Sequence, residues 1–337
     1  MKVDLQLGDS LLEAPARARE LEALGADGVF SFEGGHDVFF PLVAAAPGCS
    51  LDLMTNVAIA FPRSPHHLAN AAYDLQLMSG GRFRLGLGSQ VKAHVERRFG
   101  STWGSPVPHM REWIEATKAI LEHWQHGTPL DFRGDYTRHT LSAPNFNPGP
   151  NPHGIAPVLV GALGPRMNEM AAEVADGVLV MPFNSGAHMA ERTIPAIERG
   201  LTTSGRSFDD YEVVVEVIVG VGRTDEELET ARNVRNLVAF YASTPSYRPV
   251  LDVHGWGDAQ VELNRLAKAG EWRSMHSVIT EEMVDTIAVC GTPRECAEEI
   301  HRRYGRWTHR VCTYFPFYDA TDDLVGELVD ELHRVGS

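Results

Sequence analysis

Four stretches of the sequence carry side chains that can do chemistry, and each lies at the end of an apolar run. The first is Phe30-Ser31-Phe32-Glu33-Gly34-Gly35-His36-Asp37. A carboxylate that closes an apolar strand, as Glu33 does, either faces a bound ligand or caps the segment that starts at Asp37. The residues leave both readings open. The second stretch is Leu85-Gly86-Leu87-Gly88-Ser89-Gln90-Val91-Lys92-Ala93-His94. Its glycines let backbone approach a ligand closely, and Ser89, Gln90, Lys92 and His94 offer hydrogen bonds. Lys92, Arg97 and Arg98 form one of few basic clusters in a chain of formal charge −15. They either receive an anionic group or line a solvated helix face.

The third stretch is Gly161-Ala162-Leu163-Gly164-Pro165-Arg166. Proline is favoured in the first helical turn, and unpaired N–H groups at a helix start bind phosphate. Arg166 adds charge. A plain tight turn between strand and helix is the competing reading. The fourth stretch, Thr55–Pro65, is long for a strand and ends in two prolines. It reads as a bulge or as an ordinary proline-stopped strand. Hydrolytic and metal chemistry have no comparable support. There is no G-x-S-x-G elbow, and His66-His67 and His123/His126 lack an H-E-x-x-H context.

These stretches must be positioned by an alternating series. Val3–Gly8 reads as a strand, followed by a helix over Leu11–Leu24 with Ser10 as its N-cap; Gly8 and Asp9 end the strand. Strands follow at Val29–Glu33, Leu51–Phe61, Phe83–Gly88, Pro157–Ala162, Gly177–Met181, Tyr211–Val221 and Arg310–Phe317. Helical spacing falls between them, including Met110–His126 and Thr321–Val335. Thr224-Asp225-Glu226-Glu227 carries the signature of a helix start. Eight strand–helix units imply a parallel sheet closed into a (β/α)8 TIM barrel. A doubly wound open sheet ranks lower, since no G-x-G-x-x-G follows the first strand. Residues 127–156, after the fourth strand and helix, and 242–281, after the seventh, read as insertions. The first includes a hairpin around Leu130–Tyr136.

Composition narrows the partners. An evenly acidic chain is repelled by phosphate backbones, which argues against nucleic acid. Apolar runs are strand-length, short of the roughly 18 residues a membrane span needs. Four cysteines without a C-x-x-C pair suggest no disulfide framework, so a reducing cytoplasm is expected. The expected partner is a small-molecule substrate, and the expected assembly is a homodimer.

Taken in order, the motifs resemble a known family. Gly80-Gly81-Arg82-Phe83-Arg84-Leu85-Gly86-Leu87-Gly88-Ser89 looks like the fourth strand of luciferase-like monooxygenases. Gly161–Arg166 with Ala175-Asp176-Gly177 looks like their phosphate-loop unit. Arg111-Glu112 and Gly291-Thr292-Pro293 also fit. The likeness is greatest to the coenzyme F420-dependent oxidoreductases of the class. It implies a barrel holding a 5-deazaflavin, or alternatively FMN, at the strand C-termini. It also implies a non-prolyl cis peptide at Asn56–Val57, continuing into Ala58, that backs the ring. Glu33 matches the family's strand-two carboxylate, Ser89–His94 the strand-four loop, and Gly161–Arg166 the phosphate loop. The implied activity is hydride transfer between the deazaflavin C5 and a small organic substrate. FMN-dependent monooxygenation and non-catalytic cofactor binding are the alternatives. Deazaflavin sugar dehydrogenases of the class have His after the strand-two acid and Glu in the strand-four loop. Gly34 and Val91 stand there in this chain, so that nearby His36 and Asp37 either substitute as the acid/base groups or simply cap the next helix.

Overall fold

The computed structural model describes residues 1–8, 10–308 and 310–336; Asp9, at the end of the first strand, lies outside the described residues. Eight parallel strands close into a barrel: β1 Lys2–Gln6, β2 Gly28–Ser31, β3 Asp52–Thr55, β4 Phe83–Gly88, β5 Val158–Ala162, β6 Gly177–Val180, β7 Glu212–Val221 and β8 Arg310–Tyr314. Each pairs with its sequence neighbour, and β8 returns to β1 with Val3 opposite Val311. The strands are almost continuously apolar because helices cover the outside and side chains fill the inside. The outer helices are α1 Ala14–Ala23, α2 Phe39–Ala45, α3 Pro65–Met78, α4 Pro106–His126, α5 Pro165–Val174, α6 Ile194–Ser204, α7 Pro293–Tyr304 and α8 Asp322–Val335. This is the (β/α)8 barrel expected from the sequence.

Side chains alternate along a strand, so the interior is built in layers. The middle layer is dry: Phe30, Met54, Leu159, Leu179, Val214 and Cys312 form one cluster. Two residues towards the strand N-termini the layer is ionic. Arg310 holds Asp4 and Asp52, while Arg84 holds Glu212 at 2.8 Å and Asp52 at 3.3 Å. Two residues towards the C-termini lie Asn56, Gly88, Gly161, Glu216 and Tyr314, the wall of the barrel mouth.

Several expected boundaries shift. The first helix starts at Ala14, after Glu13 rather than Ser10. Pro15 explains this, since a residue without an N–H and with fixed φ suits only the first turn. Ser10 instead accepts the Ala14 N–H through its carbonyl. Strand three is interrupted, with β3 ending at Thr55 and pairing resuming at Ala58–Ile59. The hairpin after α4 pairs Phe132–Arg133 with Arg138–His139, and Glu112 holds its turn by accepting the Tyr136 N–H. Past Thr224, which caps a helix with Glu227 as its sequence suggests, the chain runs through helices at Arg235–Ala242, Gly257–Ala269 and Glu281–Ile287. These build a second apolar core that reaches Phe183 and Ile218 at the strand C-termini.

Candidate active site

The most irregular backbone of the barrel faces its mouth. The Asn56–Val57 peptide bond is cis. Met54 pairs with Arg84 and Ala58 with Leu87, so four steps on strand three oppose three on β4. That is a one-residue bulge. Thr55 repairs the interrupted ladder: its hydroxyl donates to Gly86 O at 2.8 Å and accepts the Gly86 N–H at 2.9 Å. Val57 turns inwards against two glycines. A Cβ on Gly88 would collide with the Val57 Cγ2 methyl, and one on Gly161 would lie 3.1 Å from its Cγ1. Gly88 is needed so that Val57 can lie across β4, and Gly161 leaves it room against β5.

Glu33 fastens the far side of the bulge. Its carboxylate accepts the Ile59 N–H at 2.8 Å and Arg63 Nη1 at 2.6 Å. Arg63 bonds onward to Ile59 O and Asp37. The helix-starting role considered for Glu33 belongs to Asp37, which accepts the Phe39 N–H at 2.9 Å. His36 sits exposed in the loop between them, with no hydrogen bond among the described residues. Beyond β4, Gln90 takes a left-handed φ of 56° and folds its side chain onto the Val91 N–H, and Ser89 donates to Gln90 O. Lys92 and His94 are exposed on the short helix Lys92–Arg97. Arg98, one turn on, reaches Gly34 O and so ties this loop to the one after β2.

At the end of β5, Gly164 is the N-cap of α5 and Pro165 starts it. Asn168 Nδ2 donates to the carbonyls of Leu163 and Gly164, which turns those oxygens inwards. Open space surrounds Gly164, and Arg166 is exposed at the same corner. A helix start with a nearby cation is the kind of corner that suits an anion. The corner and Val57 lie at the same end of the barrel, the one through Ala162 and Gly161 of β5 and the other packed on Gly161. A planar ring against Val57 and an acidic tail at α5 suit this arrangement.

Sequence reasoning missed Glu216. It lies inside β7, on the face that carries Val214 into the barrel, with Asn56 as its neighbour. Burial pushes its pKa up to about 8, against a smaller opposing pull from Asn56. No cation pairs with it among the described residues. The Asn56 Nδ2 is itself buried and lies beside the Glu216 carboxyl without a well-formed hydrogen bond. Only one signal was present in the sequence: Glu216 is the lone acid inside Val213–Val221. Above it stand Phe183, Tyr241 and Tyr247, with ring centroids about 6 Å apart. In the helical turn Gly186–His188 that follows β6, His188 is fully buried, and desolvation lowers its pKa to about 4.

Residues 2–310 match the luciferase-like monooxygenase family. The chain belongs to that family. It is 43% identical over 336 residues to an uncharacterised protein of Mycobacterium tuberculosis, covering 99% of this chain and 98% of that one. It is 30% identical over 245 residues to the 5,10-methylenetetrahydromethanopterin reductase of Archaeoglobus fulgidus, covering 71% and 69%. The fold matches the coenzyme F420-dependent tetrahydromethanopterin reductase of Methanopyrus kandleri with a TM-score of 0.82, at 20% identity over 100% and 99% of the two chains. Family and fold together indicate an oxidoreductase or monooxygenase. No helix among the described residues is long and apolar enough to cross a membrane.

Proposed function

We propose that this chain is a coenzyme F420-dependent oxidoreductase that exchanges hydride with a small organic substrate. The observation that carries the reading is the bulge in strand three between Met54 and Ala58, with Val57 seated on Gly88 and Gly161. When bound, the 5-deazaflavin supplies two-electron hydride exchange at its ring C5. Val57, Ala58 and the backbone of Asn56 would back the ring, with the Asn56 side chain left to face Glu216. Ser89, Gln90 and the Gly161–Arg166 corner would hold the polar tail. Phe183, Tyr241 and Tyr247 would keep water from the reacting face. A 28% identity over 313 residues to a putative coenzyme F420-dependent oxidoreductase of Mycobacterium tuberculosis, covering 86% of this chain and 88% of that one, supports the deazaflavin over FMN.

Titration of purified protein with F420 and with FMN, followed by fluorescence quenching, tests the reading. Saturable F420 binding and oxidation of F420H2 by a reducible substrate are expected. Tight FMN binding without F420 affinity would replace it with FMN chemistry, and F420 binding without any turnover with a non-catalytic role.

A further inference from the structure

We infer that Glu216 is the acid that delivers a proton to the substrate as it is reduced, with the Asn56 amide as the second polar contact to the same atom. This rests on the oxidoreductase reading above. The geometry is specific. Glu216 and Asn56 are interior residues of the same layer, on β7 and at the bulge. Both are partly buried polar groups whose hydrogen bonding is incomplete: the buried Asn56 Nδ2 lies beside the Glu216 carboxyl without a well-formed hydrogen bond, and Glu216 has neither an ion pair nor a backbone donor among the described residues. Buried polar groups are almost always satisfied in the functioning molecule. A ligand atom between the two would satisfy both.

The surroundings favour the neutral acid. Besides Asn56, the groups whose electrostatics couple to Glu216 are Tyr241, Tyr314 and Cys312, and burial raises the pKa of all three. All are uncharged near neutrality. A neutral carboxyl can donate a hydrogen bond where charge develops, whereas an ionised one would repel it.

The chemistry defines the substrate class: a polarised double bond, C=O, C=N or C=C conjugated to a carbonyl. As its carbon accepts the hydride, the π pair moves to the heteroatom or onto the conjugated system. The Glu216 O–H bond breaks, its proton takes up that pair, and water re-protonates the carboxylate. In the reverse direction Glu216 accepts the proton of an alcohol or amine.

Infrared titration of the free protein decides the protonation state without any substrate. A protonated carboxyl band that persists through neutral pH, titrates near pH 8 and is absent in Glu216→Gln is expected. A carboxyl already ionised at pH 7 overturns the inference. With F420H2 and cyclohex-2-en-1-one as probe, Glu216→Gln should turn over roughly 100-fold more slowly or worse, while F420 quenching stays within about two-fold of wild type. Equal rates in the two proteins also overturn it. Absence of F420 quenching in the wild type would instead overturn the cofactor reading, leaving the infrared result to judge Glu216.

Discussion

The side chain of Val57 occupies the space that a side chain on Gly88 would fill. The inward turn of the cis bulge and the glycine on the facing strand are therefore one feature. Each is possible only with the other.

Gly88→Ala tests that coupling. The added methyl has no free volume and must push Val57 off its seat. Overpacking of this kind costs about 1–3 kcal/mol. We expect a lower melting temperature together with weaker F420 quenching. A variant as stable as wild type that binds F420 equally well would show that the step is not needed.

Glu33 fixes the same bulge from behind. Its side chain is 5% exposed and that of Arg63 18% exposed, so the pair is largely shielded from water. Glu33→Gln leaves Arg63 facing an amide in place of a carboxylate. Breaking one side of a buried pair costs about 3–5 kcal/mol, and part of the Arg63 charge is still met by Asp37. A loss towards the lower end of that range is expected in chemical denaturation. Loss of F420 binding at unchanged stability would instead mean that Glu33 contacts the ligand directly.

Stability should fall on both sides of mildly acidic pH, for opposite reasons. Glu216 has a folded pKa of about 8 against an ordinary 4.5. Between those values the folded chain keeps a proton that the unfolded chain has lost, so stability declines as pH rises through the window. Glu216→Gln should flatten that decline. His188 has a folded pKa of about 4 against 6.5. There the unfolded chain takes up the proton first, so stability declines as pH falls from 6.5 to 4. His188→Leu should flatten the acid limb. Denaturation midpoints measured from pH 4 to pH 9 check both slopes.

Asn168→Ala probes the anion corner. It removes the donor that holds the Leu163 and Gly164 carbonyls. A loss of about 1–2 kcal/mol is expected from the abandoned hydrogen bonds. F420 affinity should fall more than affinity for a deazaflavin truncated before its phosphate. An equal fall for both ligands would place the tail elsewhere.

The sequence made some of this legible and hid the rest. Strand order could be read because each strand is a short apolar run followed by a turn and helical spacing. The interruption of strand three was visible as excess length at Thr55–Pro65. Pro165 marked the helix start at Gly164. Glu216 stayed hidden because apolar residues occur on both faces of β7, so period-two alternation gives no sign of which residues point inwards. The role of Gly88 was hidden too. A glycine that could admit a ligand and one that admits Val57 look alike until the bulge is placed. Glu33 showed the same limit. Its bonds to Ile59 and Arg63 join segments roughly thirty residues away, which local spacing cannot reveal.

The ionic layer at the closed end of the barrel has a bearing on synthesis. Arg310 carries the guanidinium that neutralises Asp4 and Asp52, on the first and third strands. A chain emerging from the ribosome presents both carboxylates long before that arginine exists. Until β8 arrives, the ring has a gap beside β1 and Asp4 lacks its cation, while Asp52 has Arg84 and Lys2. Closure therefore waits for β8, and its arrival becomes the step at which the mouth acquires its shape.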